Sequence, residues 1–246
     1  MATDNDPADY VYISQRLTRE TVQQHEAARP LKRTSAGFNL RVVELRREEV
    51  PVDFESRFDL ANRATTAVKG LTGMLSAPGP YIRETIGLDF MKVQVFIGFE
   101  NTGRQLIAGY FSDLTLSDGS RVFIALFGSI TNVRGWRATD ILEADVYPSD
   151  AAGLYEILDS AREPQDAPII KRYIKDGRGL DAIGRFNAAH AIAFRDNQPL
   201  RYSGEFEFLA VSHHLVSDVT LNGQHYDVAL LGAPIWIRSP QPIPLK

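Results

Sequence analysis

The residues with the widest chemical range in this chain stand together in one short run, Ser129-Ile130-Thr131-Asn132-Val133-Arg134-Gly135-Trp136. Two hydroxyls, an amide, a guanidinium and an indole are the mixture small-molecule pockets use: a few placed polar groups beside a large aromatic surface. Arg134 can neutralise a carboxylate or phosphate through two parallel hydrogen bonds, and Trp136 can stack on a planar ligand. Further along, Tyr147-Pro148-Ser149-Asp150 opens a helix whose first N–H groups suit an anion, although Ser149 is better placed to cap that helix itself and satisfy some of those donors. The expected ligand-binding set is therefore Ser129, Thr131, Asn132, Arg134, Trp136, Tyr147 and Asp150. The competing expectation is an ordinary surface loop with Trp136 tucked beneath it.

The histidines are the other source of chemistry. His213 and His214 are adjacent, and either can serve as a general base near neutral pH. As neighbours in a strand they point to opposite faces and cannot chelate one ion together, and Glu207 is too far along the strand to help, so no metal site is expected. His190 falls one helical turn from Phe186 and from Phe194 on an apolar stripe, the setting of a hydrogen-bonded core histidine. His25 and His225 lie in polar surroundings and are expected to be solvated. Gly73, Gly79, Gly87 and Gly98 follow no phosphate-loop spacing, and Gly177-Arg178-Gly179 lacks the strand-turn-helix setting of a dinucleotide fingerprint. No cofactor is implied.

The elements that must position these residues are mainly strands. Runs rich in β-branched and aromatic residues lie between Met91 and Phe127, separated by Glu100-Asn101-Thr102-Gly103 and Ser117-Asp118-Gly119-Ser120, turn chemistry that predicts an antiparallel meander. Tyr10-Val11-Tyr12-Ile13 reads as a strand, followed by a polar helix capped by Ser14 or Thr18 and stopped before Pro30. Residues 38–45 alternate as a further strand. Leu60, Ala64, Ala67, Leu71 and Met74 recur at helical spacing, predicting a helix over 54–75. A helix is expected from 149 to about 161, with a shorter one around 169–174. Leu180, Ile183, Phe186, His190 and Phe194 make the stripe of another. Strand-like residues 206–216 lead to a hairpin centred on Asn222-Gly223, and the apolar run 228–237 reads as a central strand whose end Pro234 pulls towards an edge. The expected fold class is α+β, a twisted antiparallel sheet of meander plus C-terminal hairpin with about three helices packed on it. One domain over 10–238 is expected, between a flexible tail of residues 1–9 and a Pro-rich tail of 239–246.

The chain has 246 residues, 44% of them hydrophobic, enough for a substantial core. Its 27 Lys and Arg against 31 Asp and Glu leave a net charge of -4, so no global basic field favours nucleic acid or anionic lipid. The absence of cysteine removes disulfides, thiolate catalysis and Cys-ligated metals together. Without a signal-like leader or a membrane-length apolar run, the cytoplasm is the expected compartment.

Three stretches carry a resemblance: Val11-Tyr12-Ile13-Ser14, Phe127-Gly128-Ser129, and Glu207-Phe208-Leu209-Ala210 followed by Leu230-Leu231-Gly232-Ala233-Pro234-Ile235-Trp236-Ile237. Together they resemble a family of actinobacterial proteins of about this length that has no established activity. The resemblance implies a bacterial, cytoplasmic, single-domain protein and hands over no catalytic residues. The functional expectation is a small-molecule-binding protein, with a homo-oligomer left open. The alternatives are a cofactor-independent cyclase, isomerase or hydrolase using His214 or His213 as base with Arg134, and a partner-docking subunit presenting Trp136, Trp236 and Tyr202 as one exposed patch.

Overall fold

Two unusually long strands determine the architecture. A computed structural model describes residues 10–26, 54–97, 103–135, 181–194 and 202–239. The elements are β1 (Tyr10–Ile13), α1 (Gln15–Glu26), α2 (Phe54–Ala67), β2 (Thr72–Gly73), β3 (Tyr81–Ile97), β4 (Gly103–Thr115), β5 (Arg121–Ser129), a 3-10 turn (Ile130–Asn132), α3 (Ala182–Ala193), β6 (Tyr202–Leu221) and β7 (Gln224–Arg238). β3 has 17 residues and β6 has 20, and each pairs with different neighbours along its two halves. Tyr81 to Phe90 of β3 pair antiparallel with β6, while Asp89 to Ile97 pair with β4. β4 pairs with β5, β5 runs parallel to β7, and β7 returns antiparallel to β6. The ring β3-β4-β5-β7-β6 thus closes on itself as a five-stranded barrel. With β3, β4 and β5 joined as a meander and β6 returning beside β3, the topology is a Greek key. The meander, the hairpin and the α+β class follow the sequence expectation, with three helices among the described residues; closure and the parallel β5–β7 pair do not, because both depend on pairings between distant segments that periodicity cannot register.

Side chains from all five barrel strands meet inside: Ile82, Ile86 and Leu88, Ala108 and Tyr110, Ile124 and Leu126, Phe206 and Phe208, and Leu230 with Ile237. The opposite face is covered in two patches. α3 places Phe186, Ala189, Ile192 and Ala193 against Phe123, Phe127, Ala229 and Leu231. α1 and α2 place Leu17, Val22, Ala61, Ala64 and Val68 against Tyr81, Leu209, Ile235 and Trp236. Strands buried on both faces read as continuous apolar runs, which is why 228–237 lacks alternation.

Several elements depart from expectation. α2 ends at Ala67, not near 75, and buries Ala61 and Ala64, with Val68 buried in the turn just after it; Leu71 and Met74 lie further on, exposed. β3 begins at Tyr81, ten residues before the expected meander start at Met91. Pro234 is internal to β7, in the gap between the last β5 partner, Gly232, and the first β1 partner, Trp236. A register shift against β6 falls at the same place, so the missing N–H interrupts no regular ladder. On α3, Phe186 and His190 are buried as expected, whereas Ile183 and Phe194 are exposed. Expected elements over 38–45, 149–161 and 169–174 lie outside the described residues.

Local signals account for the ends. Ser14 Oγ accepts from the Leu17 N–H at 3.2 Å, capping α1. Asp181 caps α3 through the Gly184 N–H at 2.7 Å. Asn222 and Gly223 join β6 to β7 at φ 47° and 84°, the left-handed geometry that a two-residue hairpin needs.

Candidate functional site

The run from Ser129 to Arg134 sits where β5 leaves the barrel, and it is knitted to two other elements. Ile130 to Asn132 form the 3-10 turn, with buried Ile130 joining the interior cluster. Val133 bridges to Tyr12, and the Arg134 N–H donates to the Val11 carbonyl at 2.9 Å, tying the loop to β1. Ser129 Oγ and Thr131 Oγ1 are hydrogen-bonded at 2.8 Å, either hydroxyl being able to donate; Ser129 is buried and Thr131 exposed. Asn132 links the elements: its Oδ1 accepts from Arg57 Nη1 of α2 at 2.9 Å, and its Nδ2 donates to the Tyr12 hydroxyl at 3.5 Å.

Tyr12 and Arg57 were not among the expected site residues. Tyr12 enters the barrel interior edge-on to Tyr110, with ring centroids 5.7 Å apart. Gly128 makes this possible, because a Cβ there would run into the Tyr12 phenol. Burial pushes the Tyr12 hydroxyl up to about 12, with Asn132, Ser14, Ser129 and the Arg57 charge opposing the shift. The phenol is therefore a neutral donor and acceptor at physiological pH. Strand alternation would have placed Tyr10 and Tyr12 on one face. A register shift between them separates the two: Tyr10 packs on Trp236 outside the barrel and Tyr12 points within. Arg57 gave no signal, since a helical arginine reads as surface until α2 is placed.

The remaining expected residues are distributed elsewhere. Trp136, Tyr147 and Asp150 lie outside the described residues. His213 occupies a bulge in β6, between the pairs Ser212–Gly232 and His214–Leu231. This corrects the strict alternation expected of the pair. His214 faces Phe186 of α3, centroids 6.4 Å apart, and is held below the ordinary histidine range by burial and the Arg185 charge. The structure thus places His214 on the outer, helix-covered face, and does not bring it to the Ser129–Arg134 loop. Glu207 is engaged by Arg83 and Arg238, whose guanidiniums also lie over the Trp236 ring. Trp236 is 1% exposed and donates to Thr65 Oγ1 at 2.8 Å, so it contributes to no exposed patch. His25, expected to be solvated, pairs with the Tyr81 hydroxyl at 2.8 Å, while His225 is more than half exposed. His190 is buried and hydrogen-bonded, as its stripe implied.

A second polar centre lies between α3 and the strand ends. Arg121 grips Asp113 through two bonds of 3.1 and 3.0 Å, donates to Gln224 Oε1 at 3.0 Å, and stacks 4.8 Å from the Tyr226 ring centroid. Tyr226 in turn meets Gln224 and His190. Burial and the Asp113 charge raise the Tyr226 phenol well above its ordinary value. These bonds tie α3 to the ends of β4, β5 and β7.

Among the described residues no three metal-binding side chains gather, and no helix is long and apolar enough to cross a membrane. The comparison with known families is decisive on one point. The chain belongs to the Family of unknown function (DUF7019). The match covers residues 9–239, from the start of β1 to the end of β7, and agrees with the resemblance to an uncharacterised family. No curated protein and no solved structure matches the chain.

Proposed function

We propose that this member of DUF7019 binds a small molecule at the end of the barrel where β5, β1 and α2 meet. The observation that carries the reading is the chain Arg57–Asn132–Tyr12, in which a guanidinium, an amide and a neutral phenol converge from three elements beside the Ser129–Thr131 hydroxyl pair. Few polar groups, held on rigid elements at the rim of an apolar interior, are what a specific small-molecule site requires. The guanidinium suits a carboxylate or phosphate, and the phenol and amide suit carbonyl or hydroxyl oxygens. Arg134, whose backbone N–H is tied to β1 in the same loop, completes this reading. A bacterial cytoplasm is the compartment that goes with it.

Five-stranded Greek-key barrels that take oligonucleotides or oligosaccharides use the face of their second and third strands. Here that face carries Phe111, Phe123 and Phe127, all buried in the patch shared with α3. The barrel end is the better-supported location. The enzyme reading, with His214 or His213 as base and Arg134 stabilising negative charge, needs a histidine in the Arg134 pocket; His214 instead faces α3.

Ligand-observed NMR with a panel of small carboxylates and phosphates tests the proposal. Wild type is expected to bind at least one compound that the Arg57→Ala variant, with an unchanged fold by circular dichroism, does not. Equal binding by both proteins would move the site away from this end.

A further inference from the structure

The hydrogen bonds around His190 point to one arrangement of protons. Tyr226 gives its hydroxyl proton to Gln224 Oε1 at 2.8 Å, so its oxygen is left to accept. His190 Nε2, 2.9 Å from that oxygen, therefore carries the proton. Nδ1 is then bare and accepts from the Asn222 amide at 3.2 Å. The same amide nitrogen donates to the Asn187 carbonyl at 3.0 Å, and the Asn222 backbone N–H donates to Asn187 Oδ1 at 2.9 Å. Turning the Asn222 amide over would set its oxygen against the Asn187 carbonyl. A neutral imidazole satisfies every partner; an imidazolium loses one bond whichever way the amide lies.

The groups facing His190 do not compensate an added charge. β4 brings Asp113 and β5 brings Arg121, but these two are paired with each other at 3.0 Å. β7 brings the neutral Tyr226 and Gln224. Rings of Phe123 and Phe194 pack on the imidazole at 5.1 and 4.5 Å. Burial is the leading effect, holding His190 below the ordinary histidine range; Gln224 and Asp113 oppose it and Arg121 adds to it.

We propose that this chain of bonds is an acid-sensitive latch: protonation of His190 removes one of the bonds that tie α3 to the β6–β7 turn, leaving those of Asn187, and so weakens the docking of the helix on the barrel. His214, beneath Phe186 and depressed by burial and Arg185, acts in the same direction. Lifting the helix uncovers the apolar patch of Phe123, Ala229 and Leu231. In the docked state the imidazole is neutral, and in the released state it titrates near 6.5, so docking is at full strength above that pH and weakens below it. At one unit below, the released state gains at most about tenfold for the one histidine.

Hydrogen exchange of the full chain at pH 7.5 and 5.5, with times scaled for intrinsic exchange, tests the latch. Peptides over 182–193 are expected to lose protection at the lower pH, by up to about tenfold, while peptides over α1 do not. His190→Gln, which keeps an N–H donor and cannot titrate, is expected to reduce that pH dependence; His225→Gln, at an exposed histidine, is expected to keep it. Unchanged α3 protection in wild type, parallel loss in all elements, or full pH dependence in His190→Gln would overturn the proposal. Should His190→Gln fail to fold, imidazole NMR of the wild type decides. The latch requires an Nε2–H tautomer titrating below 6.5, and a ring titrating at or above that value contradicts it.

Discussion

Tyr12 shows how one residue ties sequence, packing and chemistry together. Its ring occupies space that exists because position 128 is glycine, and its hydroxyl meets Asn132 because β1 shifts register before it. Gly128→Ala should therefore displace the ring and cost about 1–3 kcal/mol, the usual penalty of overpacking a well-filled core, read from urea unfolding. A loss below a few tenths of a kcal/mol would mean the ring has other room. The phenol also sets an alkaline limit. Because its folded value is raised to about 12 from 10, its contribution to stability is intact below pH 10 and is lost as pH rises towards 12. Unfolding midpoints measured from pH 9 to 12 should fall over that window, and less steeply in Tyr12→Phe.

At the scale of elements, most type assignments were legible and the boundaries less so. The β4–β5 and β6–β7 turns were readable because Gly119, Asn222 and Gly223 adopt the positive φ that their types favour. The end of α2 was misplaced because Leu71 and Met74 continue the helical spacing as apolar residues that the fold leaves exposed. Nothing in their spacing distinguishes a residue that packs from one that does not. α3 was legible from its stripe, and Asp181 defines its start. Asp181→Ala should cost about 1 kcal/mol through loss of the cap to Gly184, measured by thermal or urea unfolding, and it should raise exchange in the first turn of α3 before any other element. The loop 129–134 was recognised by composition, but its partners were not. Arg57 is 75 residues from Asn132 in sequence, and only the packing of α2 brings them together.

For the molecule as a whole, closure of the barrel is the feature the sequence concealed. It follows from β3 and β6 being long enough to pair with two neighbours each, and it gives the chain an interior fed by five strands. Phe208, wholly buried in that interior, should cost about 3–5 kcal/mol on replacement by Ala, seen as a lower denaturation midpoint with an unchanged slope. A much smaller loss would indicate a loosely filled barrel. The same closure leaves the barrel end, with Tyr12, Arg57 and Asn132, as the place where interior and polar groups meet. Native mass spectrometry of the protein purified gently from its own host, beside an Asn132→Ala and Arg57→Ala double variant prepared identically, tests that claim most directly. The account predicts a non-covalent mass increment on the wild type that denaturation removes and the variant lacks; an increment retained in full by the variant would contradict it.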